Sequence, residues 1–149
     1  MGLPSTETKT SMLELARRQR AQLLATIELV DRALAAPSGE PGWRGGVMSR
    51  LAALREAFAE HVAVTEGIDG LYAELLGHAP RLAHGVDVLV RDHTRLRHAL
   101  DAVWVRAPGA RPQELRAWAG DLLRDLYRHR QRGADLVYEA YQTDIGGET

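Results

Sequence analysis

Apolar side chains recur at steps of three and four along four long stretches of this chain, the spacing that lines one face of an α-helix. The first stripe reads Leu13, Ala16, Arg20, Leu23, Ile27, Val30 and Leu34. Ser11-Met12-Leu13-Glu14 has the form of a capping box at its start, and Pro37 stops it. Residues 37–46 are rich in Pro and Gly and read as a loop. The second stripe begins near Val47 and runs through Leu51, Leu54, Phe58, His61 and Thr65. Gly67-Ile68-Asp69-Gly70 should break that helix, with a short helical piece from Leu71 to Gly77 after it. A third stripe starts at Pro80 and contains Leu82, Val86, Leu89, His93, Leu96, Leu100 and Val103, until Pro108-Gly109 ends it. The fourth starts at Pro112 and contains Leu115, Trp118, Leu122, Leu126, His129, Gly133 and Leu136. No strand-like alternation is sustained. The pattern predicts an all-α, antiparallel up-down four-helix bundle over residues 11–141, with flexible tails at 1–10 and 142–149.

Composition narrows the chemistry. The 149 residues suit one domain, 45% are apolar, and aromatics are only 5%, a mix that favours helix over sheet. A net charge of −1 supplies no global attraction to nucleic acid or an anionic membrane. The fourth helix is rich in Arg, but Glu114, Asp121 and Asp125 interrupt it, so it reads as a solvated surface. The absence of Cys excludes disulfides, Cys-ligated zinc and thiol catalysis. The polar N-terminus lacks the apolar stretch of a signal peptide, and no apolar run approaches the ~20 residues of a membrane span. The expectation is a cytoplasmic monomer or homodimer with no nucleic-acid or membrane partner.

Each stripe carries one conspicuous polar residue near its middle: Arg20, His61, His93 and His129. In an up-down bundle these positions can share one layer of the core, where facing helices build metal and ligand sites. His78, His84 and His98 fall off the stripes and read as surface residues. The tryptophans and tyrosines read as packing, with Tyr138 and Tyr141 placed to lid one end of the bundle.

With these residues in order, the chain resembles the hemerythrin-like, HHE cation-binding family. The resemblance runs from about Met12 to Glu148 and is carried by three segments. These are Arg91-Asp92-His93-Thr94-Arg95-Leu96, His61 with Glu66, and His129 with Asp135-Leu136-Val137-Tyr138-Glu139-Ala140-Tyr141. It implies a four-helix bundle with a non-haem di-iron centre of His and carboxylate ligands that binds or responds to O₂. Against that pattern the chain departs at four places. Arg20 stands where the first helix offers a His, with Gln19 one step away. Thr65 stands four after the second-helix His, where a Glu is usual, and Glu66 follows it. Arg97 and Gly133 stand four after His93 and His129.

Two nearby divalent ions need several anionic oxygens, and an Arg in the layer repels them, so a standard di-iron pair is not expected. Instead His61, His93 and His129, with Glu66 as the nearest carboxylate, are the candidate ligands for one iron or zinc ion. Arg20, Thr65, Arg97 and Gly133 are the candidate lining of a pocket for O₂, peroxide or a small anion. Gly133 would leave a hole beside the metal. The alternative is a metal-free bundle without cofactor, its site decayed, acting as an interaction or regulatory module. Oxidative enzyme chemistry at a non-haem metal is a third possibility, with no catalytic motif to name a substrate.

Overall fold

The computed structural model describes residues 5–147, with side chains described over residues 12–141. Helices α1 (Ser5–Ala35), α2 (Trp43–Glu66), α3 (Leu71–His78), α4 (Ala83–Arg106) and α5 (Pro112–Gly147) hold nearly all of it, and no strand occurs among the described residues. The four long helices close into a ring: α1 packs on α2, α2 on α4, α4 on α5 and α5 on α1. Short links hold neighbours together, as helices carrying one apolar face require. Among the described residues, no helix is long and apolar enough to cross a membrane.

Helix boundaries shift from those the stripes predict. α1 already runs at Ser5, so Ser11 lies inside the helix and the capping box marks no start. α5 continues to Gly147, past the predicted tail boundary at 142. The remainder of the two predicted tails, 1–4 and 148–149, lies outside the described residues. α2 starts at Trp43, four residues before Val47, because Gly42 adopts φ 80° and turns the chain straight into the helix. That left-handed conformation suits Gly and few other residues. Pro80 opens a 3-10 turn, Pro80–Leu82, that leads into α4.

The Gly67–Gly70 break matters most for the site. A Cβ on Gly70 would lie 2.6 Å from the Val64 carbonyl oxygen, so only Gly permits this reversal. It swings α3 into the core against α1 and α5, burying Leu71, Tyr72 and Leu75. At the opposite end Arg116 donates to the carbonyls of Leu34 and Ala36 at 2.9 and 3.0 Å, and its guanidinium sits 5.1 Å from the Trp43 ring. Arg44 donates to the Ala107 carbonyl at 2.6 Å. Both side chains satisfy carbonyls that a helix end leaves open.

The hydrophobic core falls into two parts. One contains Leu23, Ile27, Leu54, Phe58, Leu96, Leu115 and Leu126 among others. The other gathers Ala16, Tyr72, Leu75, Val86, Leu89 and Leu136. Between them lie the buried polar residues Gln19, His61, Thr65, Asp92, His93 and His129. Tyr138 does not lid the bundle: it is 64% exposed, while Tyr141 lies half-buried with its ring 4.6 Å from that of His78. His78 is therefore no free surface residue, whereas His84 and His98 are exposed.

Candidate metal centre

Three helices each deliver one imidazole to the middle of the core. His61 comes from the last third of α2, His93 from the middle of α4 and His129 from the middle of α5. All three are 6% exposed or less, and one nitrogen from each lies within 4.8 Å of the others. Nε2 of His61 and Nε2 of His129 are 3.2 Å apart. Phe58 backs the cluster, its ring 5.9 and 5.8 Å from those of His61 and His93.

The outer nitrogens settle the tautomers. Gln19 donates its Nε2 to the Ala57 carbonyl at 3.0 Å, which turns its Oε1 toward His61 Nδ1 at 2.9 Å. An amide oxygen can only accept, so His61 carries its proton on Nδ1. His93 Nδ1 donates to Glu66 Oε2. His129 Nδ1 donates to Asp92 Oδ2 at 3.2 Å. Asp92 is in turn gripped by Arg132 at 3.0 Å and Arg95 at 3.2 Å. With Nδ1 protonated on each ring, all three Nε2 atoms present lone pairs to the interior. The Tyr72 hydroxyl, 3.3 Å from His93 Nε2, can donate to one of them.

Electrostatics keep these rings neutral. Burial, then the neighbouring rings of His93 and His129 and the charge of Arg20, depress His61 to about 3. Burial, then His93, depress His129 to about 4 although Asp92 pulls the other way. Burial lowers His93 as well, against the opposing pull of Glu66. Burial works to raise Asp92, but hydrogen bonds from His129, Arg95 and Arg132 outweigh it and leave the carboxyl below its ordinary value. Burial pushes the Tyr72 phenol well above its ordinary value, so it stays a neutral donor.

The remaining sequence-predicted site residues divide. Arg20 does not occupy the ligand layer: Gln19 does, at 5% exposure, and Arg20 lies one step around α1 on a cavity wall. Glu66 faces the outer nitrogen of His93, so in this arrangement it orients a ring. Thr65 turns its hydroxyl back onto the His61 carbonyl at 2.7 Å, and also lines the cavity. Gly133 lines the same cavity, and no atom lies within 4 Å of where its Cβ would stand. Arg97 is exposed in an outer groove beside Arg55, Phe58 and Asp101, and acts on His93 through its charge. Asp92 and Tyr72 were missed as site residues. Asp92 had a signal: it lies three after Leu89 and four before Leu96, the same stripe that His93 satisfies.

Residues 11–141 match the family described as Hemerythrin HHE cation binding domain. The chain belongs to that family. No curated protein and no solved structure matched it. The donors present fit one cation better than two. Metal–nitrogen bonds of 2.0–2.1 Å at tetrahedral angles set ligand nitrogens roughly 3.3 Å apart, close to the His61–His129 spacing. Glu66 and Asp92 each meet an Nδ1, and among the described residues the cluster of close ligand atoms consists of the three histidines. Three buried histidines could thus hold a metal ion, in a family defined by cation binding.

Proposed function

We propose that this hemerythrin-type domain binds a single divalent metal, iron or zinc, through Nε2 of His61, His93 and His129. One observation carries the reading. Every Nδ1 is committed to an acceptor oxygen, from Gln19, Glu66 and Asp92, so three lone pairs converge with one tyrosine hydroxyl to answer them. Facing lone pairs repel, and a cation turns the repulsion into three bonds. Orienting acceptors behind each ligand His are the usual support of metal sites. Neutral imidazole suits both zinc and ferrous iron. The bundle is read as antiparallel and up-down, which lets His61, His93 and His129 meet at one level.

A metal held this way supplies a Lewis-acidic centre for a small molecule such as O₂ or peroxide. The chain's own contribution is to fix three rings, exclude bulk water with Phe58 and Tyr72, and leave a cavity beside His61 and His129. Metal content decides the matter. Protein purified without a His tag and reconstituted with iron or zinc should hold one ion per chain. A stoichiometry near zero with both metals would overturn the reading in favour of a metal-free interaction module.

A further inference from the structure

His93 Nε2 meets a hydrogen-bond donor inside the core. The ring gives its Nδ1 proton to Glu66, so Nε2 has a single lone pair, and the Tyr72 hydroxyl stands 3.3 Å away to donate to it. Tyr72 is fixed in that position. The Gly67–Gly70 turn brings α3 into the core, Tyr72 is buried there, and its ring stacks on His93 with 16° between the planes and 5.8 Å between centroids. Burial keeps the phenol protonated, and hence a donor. A second acceptor is close by. The Thr65 hydroxyl lies within hydrogen-bonding reach of the Tyr72 hydroxyl. Its own proton goes to the His61 carbonyl at 2.7 Å, which leaves its lone pairs to accept. Both side chains line the small cavity of about 20 Å³ beside His61 and His129, whose wall is almost wholly apolar.

One lone pair cannot serve a hydrogen bond and a metal bond together. Tyr72 therefore has to release His93 Nε2 before that nitrogen can bind a cation. A buried hydroxyl left without an acceptor is unfavourable, so release is easy only where another acceptor waits. We infer that Tyr72 is a built-in competitor for the metal site: its hydroxyl occupies the His93 lone pair in the metal-free protein and passes to Thr65 when a metal is bound. The inference rests on the proposed three-histidine reading. Thr65 suits this role because a hydroxyl accepts a hydrogen bond without adding charge to an apolar cavity. The cavity gives the Tyr72 hydroxyl room to turn. An imidazole nitrogen is a stronger acceptor than a hydroxyl oxygen, so the exchange favours the metal-free form. By linkage, the factor by which it does so is the factor by which Tyr72 weakens metal binding.

Zinc affinity, measured by competition with a chelator, tests the inference with a sign that structural damage does not imitate. Tyr72→Phe keeps the ring and removes the competitor, so zinc should bind roughly threefold more tightly than in the wild type. Thr65→Val keeps the shape and removes the second acceptor, so zinc should bind roughly tenfold more weakly. Adding Tyr72→Phe to Thr65→Val should restore zinc affinity to that of Tyr72→Phe alone, because no hydroxyl is then left to place. All variants should keep the wild-type helical spectrum. Weaker zinc binding in Tyr72→Phe overturns the inference, since the hydroxyl would then be assisting the metal. A Thr65→Val loss of the same size with and without Tyr72→Phe overturns it too, since Thr65 would then act on something other than Tyr72. Wild-type protein that binds zinc with an affinity unmoved by Tyr72→Phe overturns the inference alone and leaves the three-histidine site standing. Zinc binding by neither the wild type nor any variant removes the metal reading and the inference with it.

Discussion

On one side of the histidine layer the core is hydrocarbon throughout, from Leu23 and Leu54 to Leu115 and Leu126. On the other, Leu75, Leu89 and Leu136 pack around a short helix that a glycine turn swings inward. The first half is closed at its end by Arg116 and Arg44 on helix carbonyls. The second adjoins a cavity and the histidine layer, where Nε2 of His61 and Nε2 of His129 lie 3.2 Å apart. Apolar packing fixes the frame, and the layer next to it carries groups that cost stability unless a ligand answers them. The difference shows where folding and function were assigned to separate regions.

Removing a ligand should break the comparison most completely. His129→Ala is expected to reduce bound metal from one ion per chain to near none, while helical content stays as in the wild type; elemental analysis and circular dichroism read the two together. If His129→Ala keeps its metal, the histidine layer is not the site. Next, Leu54→Ala in the apolar half should cost about 2–5 kcal/mol of stability in denaturant unfolding. Leu54 is fully buried, yet metal stoichiometry in the folded fraction should not move. Asp92→Asn tests the support behind the ligands: metal affinity should fall roughly 10–100-fold in competition with a chelator.

The metal-free protein should lose stability as pH falls. The unfolded chain protonates its histidines near the ordinary value of 6.5, whereas His129 and His61 resist until about 4 and 3. The unfolded state thus binds more protons across that window, and unfolding becomes easier from about pH 6.5 downward. Chemical denaturation at a series of pH values measures it, and a flat profile between 6.5 and 4 would contradict neutral buried rings. The smallest effect belongs to Gly133→Ala. Nothing obstructs the added methyl, so helix propensity should raise metal-free stability by about 1 kcal/mol in a melting experiment.

Much of this was legible in the residues. Steps of three and four marked the buried faces of all four long helices, and Gly67–Gly70 marked the break before α3. The three in-register histidines were visible because each sits at a stripe position flanked by apolar residues. What the pattern left ambiguous is instructive. Gln19 and Arg20 both fall three or four residues from Ala16 and Leu23, so a period of 3.6 admits either into the core. The structure chose Gln19, whose amide has both an acceptor for His61 and a donor for the Ala57 carbonyl, and left the obligate charge of Arg20 on a cavity wall. Asp92 and His93 divide in the same way, one meeting His129 and the other the centre. Arg97 shows the reverse limit, since a position four after a histidine on one helix need not point where the histidine does.

The sequence by itself therefore determined helices, their buried faces and the identity of the three imidazoles, because periodicity and side-chain chemistry are local properties. Only tertiary structure decided which nitrogen of each ring points inward and which carboxylates stand behind them. It also decided that Gln19, and not Arg20, meets the His61 ring. Those depend on contacts between helices up to 68 residues apart in the chain, and no local rule reaches that far.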